Sequence, residues 1–256
     1  MILVLSGTEE GKEIVRQLHH DGFNVRTTVV TEYGKKMFEQ IGLDTICIQK
    51  RCDKEGFLQL IRENGITVII DATHPFAAEA TKNAYEACRT ADIKYFRFER
   101  KNSEITDHPL IHKVPSIDDA VEKAGELGTN IFLTTGISGV SKFIPLKSKK
   151  QLFVRILPIP EHIASCIEMG ISPQNIIAMH GPFSEELNKA MFHQYGINTI
   201  VSKESGGVGG VKEKIQAAID LGIDTILITR PALELPHVYT SVTDILNEVK
   251  AVCLVE

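Results

Sequence analysis

The sequence lacks the residues and segments that mark several classes of protein. It has no tryptophan, no C-x-x-C pair and no H-E-x-x-H pattern, and its five cysteines are scattered along the chain. Idle or buried thiols are therefore a better interpretation than a metal site. No apolar run approaches the length of a membrane span, and no signal-peptide pattern precedes the first predicted strand. We expect a cytosolic protein without a bound metal or a membrane partner.

The chain also lacks a surplus of positive charge. Its 28 lysines and arginines are outnumbered by 33 aspartates and glutamates, which gives a formal net charge of −5. A general nucleic-acid-binding protein would usually carry a basic surplus, so we expect no nucleic-acid partner. The 256 residues, of which 43% are hydrophobic and 24% charged, are typical of a globular chain with one large domain or two ordinary ones.

The usual three-glycine dinucleotide motif is absent from the first loop, although its layout is present. Residues 2–5 are apolar, as in a strand buried on both faces, and residues 12–18 carry apolar side chains at helical spacing. The only glycines between these two segments are Gly7 and Gly11. A loop in this position aims backbone N–H groups and the positive end of a helix dipole at its occupant, which is usually a phosphate. An ordinary strand-to-helix turn is the alternative.

Strands and helices alternate over residues 1–100, with helices predicted over residues 35–41 and 54–64. This alternation predicts a parallel sheet with helices on both faces and a ligand site at the carboxyl ends of the strands. The second predicted strand, residues 23–30, ends near Glu32, an acidic residue that would favour NAD. Five neighbouring residues could equally surround the 2′-phosphate of NADP: Arg26, Thr27, Thr28, Thr31 and Lys35. The choice between NADPH and NADH therefore stays open.

A polar cluster follows the strand predicted over residues 67–70. Asp71, Thr73 and His74 crowd at the carboxyl end of this strand, on the same rim as the Gly7 loop. We therefore favour a role for them in the site. Thr73 could instead serve only as an N-cap for the helix predicted over residues 75–89.

A second series of strands and helices follows a polar linker at residues 101–108. We predict two Rossmann-like domains, residues 1–100 and 101–256, each with a parallel sheet flanked by helices and with a cleft between them. The strand at 198–201 leads into Lys203, Ser205 and four glycines at 206, 207, 209 and 210. These residues form an anion cradle in physical terms, or else a flexible surface loop.

Seven short motifs occur in order along the chain. They are L-S-G-T-E-E-G at residues 5–11, T-E-Y-G at 31–34, D-A-T-H-P-F-A at 71–77, R-F-E-R at 97–100, G-P-F-S at 181–184, K-E-S-G-G at 203–207 and R-P at 230–231. Together they resemble the precorrin-6A reductase family of cobalamin biosynthesis, whose anaerobic members act on cobalt-precorrin-6A. Ser6 departs from the family pattern, which often has another glycine there.

The resemblance implies hydride transfer from NADPH or NADH to one ring double bond of a polycarboxylate tetrapyrrole. It implies cofactor contacts in the first domain at Gly7, Thr8, Glu9, Glu10, Thr28, Thr31, Asp71, Ala72, Thr73, His74 and Arg100. Because the substrate carries many carboxylates, we expect it to be bound in the second domain by Arg155, Ser205, Gly206, Gly207, Lys212 and Arg230. Lys203 and His180 are the candidate donors of the proton that accompanies the hydride.

Two alternative functions fit these residues less well. A short-chain-like oxidoreductase would need a Tyr-x-x-x-Lys pair, and none of the five tyrosines has a lysine four residues later. A nucleotide-sensing regulatory module would use the first domain, but it would have no need of the glycine-rich cradle in the second.

Overall fold

The structure is a computed structural model, which describes residues 1–207 and 210–253. Strands and helices alternate, as the periodicity predicts. The elements of the first hundred residues are β1 (Ile2–Ser6), α1 (Glu9–His20), β2 (Val25–Val29), α2 (Glu32–Glu39), β3 (Cys47–Gln49), α3 (Lys54–Asn64), β4 (Val68–Ala72), α4 (Ala78–Ala91) and β5 (Lys94–Phe98).

The rest of the chain continues the alternation. Its elements are β6 (Ile111–Val114), α5 (Ile117–Glu126), β7 (Asn130–Leu133), α6 (Ile137–Phe143), β8 (Gln151–Ile156), α7 (Pro160–Glu168), β9 (Ile176–Ala178), α8 (Glu185–Gln194), β10 (Thr199–Lys203), α9 (Val211–Asp220), β11 (Asp224–Ile228), β12 (Val238–Tyr239) and α10 (Val242–Cys253). Within the described residues, no helix is long and apolar enough to cross a membrane.

The chain divides into two compact units. Unit 1 comprises Met1–Arg100 together with the chain from Ala232 onward, and unit 2 comprises Lys101–Pro231. Each unit is built on a parallel six-stranded sheet flanked by helices, which confirms the predicted α/β class.

The sheet of unit 1 has the strand order β12-β5-β4-β1-β2-β3. Ile2 and Val4 share a core with residues of α1 and α10 on one face, while Leu3 and Leu5 share another core with α3 and α4. Burial on both faces is the reason that β1 shows no polar alternation. Leu5 pairs with Thr28 and Ser6 with Ala72, so the carboxyl ends of β1, β2 and β4 lie level.

The prediction that residues 101–256 form the second domain is wrong for its last segment. After Pro231 the chain returns to unit 1, where β12 extends the first sheet by pairing with β5 through Val238↔Arg97 and Tyr239↔Phe98. Helix α10 then buries Ile245 and Leu246 in the same core as α1. A strand of two residues carries no periodic pattern, so nothing in the sequence around it indicated the return.

The sheet of unit 2 has the strand order β6-β11-β10-β7-β8-β9. Phe132 of β7, Phe153 of β8 and Ile200 of β10 lie in one core with residues of α8 and α9. Neighbouring strands match Phe132 with Phe153 and Ile200 with Phe132, so these three side chains form a row across the sheet. Polar residues that follow two positions further along these strands, described below, lie on the same face of the sheet.

Two helices of unit 1 begin at other positions than those predicted. Helix α2 starts at Glu32 instead of residue 35, because the Thr31 hydroxyl caps it by accepting a hydrogen bond from Gly34 N at 3.0 Å. Helix α4 starts at Ala78 instead of residue 75, after a turn in which Ala77 N donates to His74 O at 2.8 Å. The first shift shortens the loop after β2, and the second lengthens the loop after β4 by Pro75, Phe76 and Ala77.

Candidate functional site

The loop from β1 to α1 is fixed to the neighbouring strand by Thr8. Its hydroxyl accepts a hydrogen bond from Gly11 N at 3.1 Å as the N-cap of α1, and donates one to Ala72 O at 3.0 Å. The predicted contact residue Thr8 therefore holds the loop against the end of β4. The backbone N–H groups of the first helical turn face the same rim of the sheet.

Gly7 in this loop and Gly11 in the first turn of α1 meet different requirements. A Cβ on Gly11 would lie 3.2 Å from both Ala72 Cβ and Ser6 Oγ, so these neighbours would have to shift by a few tenths of an ångström to admit a side chain where α1 crosses the sheet. A Cβ on Gly7 would meet His74 N at 3.5 Å, an ordinary contact distance. The fold therefore leaves room for a Cβ at Gly7, and the exposed backbone there is available to a ligand.

A cavity of about 1070 Å³ opens at the carboxyl ends of β1, β2 and β4. Ser6, Thr28, Val30, Thr73 and Phe76 are among its lining residues, and it continues along α3. The volume lies just above the range of small-molecule sites, about 300–1,000 Å³, which leaves room for a dinucleotide. Of the predicted cofactor residues, Thr28 and Thr73 line this cavity.

Asp71 lies beneath the cavity and has no exposed surface. Its carboxylate accepts hydrogen bonds from Arg97 Nη1 at 2.8 Å, Tyr95 Oη at 2.9 Å and Thr73 Oγ1 at 2.7 Å. Burial and the negative charge of Asp71 raise the pKa of Tyr95, so the phenol remains a hydrogen-bond donor. The predicted contact Asp71 thus supports Thr73 from below, and Thr73 is the member of the pair that reaches the cavity.

Glu10 and Arg100 form a two-pronged ion pair on the same unit. Arg100 Nε donates to Glu10 Oε1 at 2.7 Å and Nη2 donates to Oε2 at 2.6 Å. Burial raises the pKa of Glu10, but the hydrogen bonds from Arg100 and from the backbone outweigh it and leave the pKa below its ordinary value. This pair joins the first helix to the residues directly after β5.

The remaining predicted cofactor residues have local roles in unit 1. Glu9 is exposed and pairs with Lys12 at 2.6 Å, while Thr31 caps α2. His74 Nδ1 accepts a hydrogen bond from Phe76 N at 3.2 Å, which shapes the turn before α4.

Arg155, predicted to bind substrate, is buried within unit 2. It is 7% exposed, and its guanidinium lies 4.1 Å from the ring centroid of Phe183 and 5.4 Å from that of Phe132. Its Nη1 donates to Asn188 Oδ1 at 2.8 Å. Burial lowers the pKa of Arg155 to about 10, and the group therefore stays charged at neutral pH.

Arg230 is held by an ion pair at the end of β11. Its Nε lies 2.5 Å from Glu204 Oε2, and its Nη2 donates to Lys101 O at 3.2 Å. The other oxygen of Glu204 accepts from Ser103 N at 2.9 Å. This set fixes the start of unit 2 against the carboxyl ends of β10 and β11.

The other predicted residues of unit 2 lie near the carboxyl ends of its strands. Lys203 ends β10, and burial lowers the pKa of its ammonium group. Ser205, Gly206 and Gly207 follow it, and the part of the predicted glycine cradle at 208–209 lies outside the described residues. Lys212 and His180 are exposed.

The sequence matches a known family over nearly its whole length. Residues 1–250 match the family model described as precorrin-6x reductase CbiJ/CobK. The chain belongs to this family. The reductase is 36% identical over 251 residues to the cobalt-precorrin-6A reductase of Priestia megaterium, with 96% of this chain and 97% of the relative covered.

Other relatives agree with the assignment. A cobalt-precorrin-6A reductase of Salmonella typhimurium is 36% identical over 237 residues, which covers 90% of this chain and 87% of that one. A solved structure of a CobK precorrin-6A reductase has a TM-score of 0.79 and 24% identity, with 98% of this chain and 96% of that one covered, and it shows the shared fold. The predicted family is confirmed, and the protein is a reductase.

Sequence reasoning missed one buried cation of the reductase. Lys214 is 6% exposed, and its Nζ donates to Ser202 Oγ at 2.9 Å. The signal was present, because Lys214 shares a helix face with Val211, Ile215 and Ala218, which are buried. A lysine on an apolar face is uncommon enough to single out.

Replacing Lys214 with methionine is expected to make the reductase more stable at neutral pH. Burial, together with the nearby charge of Arg155, lowers the pKa of Lys214 to about 7 from an ordinary value of 10.5. Between these two values the unfolded chain binds a proton that the folded chain does not, so wild-type stability rises with pH, by at most about 1.4 kcal/mol per pH unit.

The measurement is urea denaturation of wild type and Lys214→Met at several pH values. The advantage of the variant is expected to be full below pH about 7 and to shrink toward pH about 10. An advantage that does not change over this range would contradict the burial of a titrating amine.

Proposed function

We propose that this reductase transfers a hydride from NADPH or NADH to a ring double bond of cobalt-precorrin-6A or precorrin-6A and gives the corresponding precorrin-6B. The reaction balances when one hydride and one proton add across the double bond and NAD(P)H leaves as NAD(P)⁺. The observation that carries the proposal is the family match over residues 1–250, together with the cavity at the carboxyl ends of β1, β2 and β4.

The residues of unit 1 fit a nicotinamide dinucleotide. Gly7 offers bare backbone, the first turn of α1 offers N–H groups, and Thr28 and Thr73 line a cavity of sufficient size. When bound, the nicotinamide supplies the hydride, which no side chain of the protein can do. The protein orients this group and keeps water away from it, and Asp71 takes part by holding the Thr73 hydroxyl in place.

We assign the substrate to unit 2, where cations lie at the carboxyl ends of the strands. Arg230, Lys203 and Lys212 are the groups that would meet substrate carboxylates, with Ser205, Gly206 and Gly207 beside them. Lys203 is our first candidate for the proton donor, because burial lowers its pKa and makes its ammonium group a stronger acid. His180, which is exposed, is the second.

Replacing Arg230 with alanine is expected to raise the KM for the tetrapyrrole about 10- to 100-fold, the effect of losing a charged hydrogen bond. The KM for the nicotinamide is expected to change by less than about twofold. Steady-state kinetics with each substrate varied in turn measures both.

Glu204→Gln is the matched control, because it breaks the same ion pair and keeps the arginine. A rise in the tetrapyrrole KM as large as that of Arg230→Ala would show that Arg230 has a structural role only. Equal effects on the two substrates would lead to the same conclusion.

The reaction is tested by following the loss of reduced nicotinamide under anaerobic conditions. The purified protein is supplied with NADPH or NADH and with either precorrin-6A or cobalt-precorrin-6A. We expect turnover, and the best pair identifies the cofactor and the metal state of the substrate. Tight nucleotide binding without turnover of either tetrapyrrole would contradict the proposal and favour a nucleotide-sensing module.

A further inference from the structure

Three polar side chains lie in a row across the sheet of unit 2. Arg155 on β8, Thr134 after β7 and Ser202 on β10 each follow, by two residues, a member of the row of core side chains formed by Phe153, Phe132 and Ile200. Side chains two residues apart on a strand point to the same face. The polar row therefore lies directly above the core, at the carboxyl ends of the strands, where parallel sheets bind ligands.

Two helices complete this row with further polar groups. Asn188 of α8 accepts from Arg155 at 2.8 Å, and Lys214 of α9 donates to Ser202 at 2.9 Å. We call Arg155, Asn188, Ser202 and Lys214 the buried polar layer. Each of its members is 7% exposed or less.

The buried polar layer contains two basic side chains and no acidic one. Among residues 1–207 and 210–253, neither Arg155 nor Lys214 forms an ion pair with a carboxylate, and their hydrogen-bond partners are an amide and a hydroxyl. The buried Arg97 is balanced by Asp71, and the partly buried Arg230 is balanced by Glu204. A buried charge without a contacting counter-charge is costly, and here two groups of the same sign interact with each other, offset only in part by the charge of Glu213.

A third source of positive potential reaches the same place. Helix α9 has ten residues and begins after Gly210, whose φ of 62° is in the left-handed region. Lys214 lies in its first turns, so the positive end of the helix dipole adds to the charges of the two side chains. All three features favour a negatively charged group.

We propose that the buried polar layer binds one oxyanion of the carboxylate class between Arg155 and Lys214. The half-buried ring of Phe183, which covers the guanidinium, is the group that moves to admit it. The assignment of this oxyanion to a substrate carboxylate rests on the proposed function, whereas a free inorganic oxyanion would meet the same two cations.

Binding of the oxyanion is expected to be accompanied by uptake of a proton. Lys214 is largely neutral above pH 7, since burial and Arg155 lower its pKa to about 7. A negative charge beside the amine stabilises its protonated form, which raises the pKa and draws a proton from solution. A lysine with a purely structural role would show no such coupling.

The first arm of the test uses sulfate and acetate as probes of the full-length protein without tetrapyrrole. Thermal stability is measured against probe concentration at constant ionic strength, and proton uptake is measured by calorimetry in two buffers. We expect saturable stabilisation with proton uptake in wild type and affinity about 10- to 100-fold weaker in Lys214→Met and Arg155→Met. Lys149→Met, a change at an exposed lysine of unit 2 outside the proposed sites, is the matched control and should keep the anion response.

The second arm measures the KM for the tetrapyrrole and for the nicotinamide in the same variants. A rise of about tenfold or more in the tetrapyrrole KM alone identifies a substrate carboxylate as the ligand. Loss of the sulfate or acetate response with an unchanged tetrapyrrole KM identifies a free oxyanion. If neither probe nor tetrapyrrole binding depends on Lys214 or Arg155, the inference is wrong. Failure of wild type to turn over any tetrapyrrole would overturn the proposed function. The first arm would still test whether the buried polar layer binds an oxyanion.

Discussion

Asp71→Ala is expected to lower the free energy of unfolding by about 3–5 kcal/mol, the usual cost of removing one partner from a buried ion pair. The change leaves the Arg97 guanidinium, whose side chain is 3% exposed, without its counter-charge. It also removes the acceptor for Tyr95 and Thr73. Chemical denaturation at neutral pH measures the loss.

Asp53→Ala is the control for this variant. Asp53 is also an aspartate of unit 1, but it is exposed and only caps α3, by accepting from Gly56 N at 2.8 Å. Its loss should cost about 1 kcal/mol. In addition, Arg97→Met in the Asp71→Ala background should restore part of the stability, because it removes the unpaired charge. A loss in Asp71→Ala no larger than in Asp53→Ala would show that the buried network contributes little.

Gly7→Val is expected to weaken nicotinamide binding about 100-fold or more while the fold is retained. Gly7 does not have a positive φ, and a Cβ there meets its neighbours at 3.5 Å or more, so the protein can accommodate a side chain. The branched side chain would occupy the space through which the cofactor diphosphate approaches the loop backbone. Nucleotide affinity is measured by fluorescence titration and stability by thermal unfolding.

Gly11→Ala, in the first turn of the adjacent helix α1, is expected to affect stability instead of nucleotide binding. Its Cβ would crowd Ala72 and Ser6 at 3.2 Å, so we expect a lower stability caused by the helix being pushed from the sheet. Unchanged nucleotide affinity in Gly7→Val would remove this loop from the cofactor site. A large loss of stability in Gly7→Val would show instead that the glycine serves the fold.

The sequence was most informative where a local pattern determines the structure. The apolar run of β1 and the helical spacing of Ile14, Val15 and Leu18 predicted the first strand, loop and helix, because burial on both faces of β1 and on one face of α1 leaves a periodic trace. Helix α3 begins and ends at the predicted residues 54 and 64, because Asp53 caps one end and Gly65, with a φ of 58°, ends the other.

Features that depend on distant partners were not predictable. Asp71 is supported by Tyr95 and Arg97, which lie on the next strand of the sheet, so its carboxylate could be read from the sequence only as a polar group at a strand end. For the same reason, the sequence did not indicate that Glu204 would pair with Arg230. The return of the chain to unit 1 depends on a strand of two residues, which is too short to leave a pattern.

Transfer of deuterium from cofactor to product tests the central claim most directly. NADPH or NADH deuterated at C4 of the nicotinamide, in each of its two stereochemical forms, is supplied with the tetrapyrrole under anaerobic conditions, and the product is examined by mass spectrometry. The account predicts that one of the two forms delivers its deuterium to a ring carbon and that the second hydrogen comes from solvent. A reduced product without deuterium from either form would contradict direct hydride transfer.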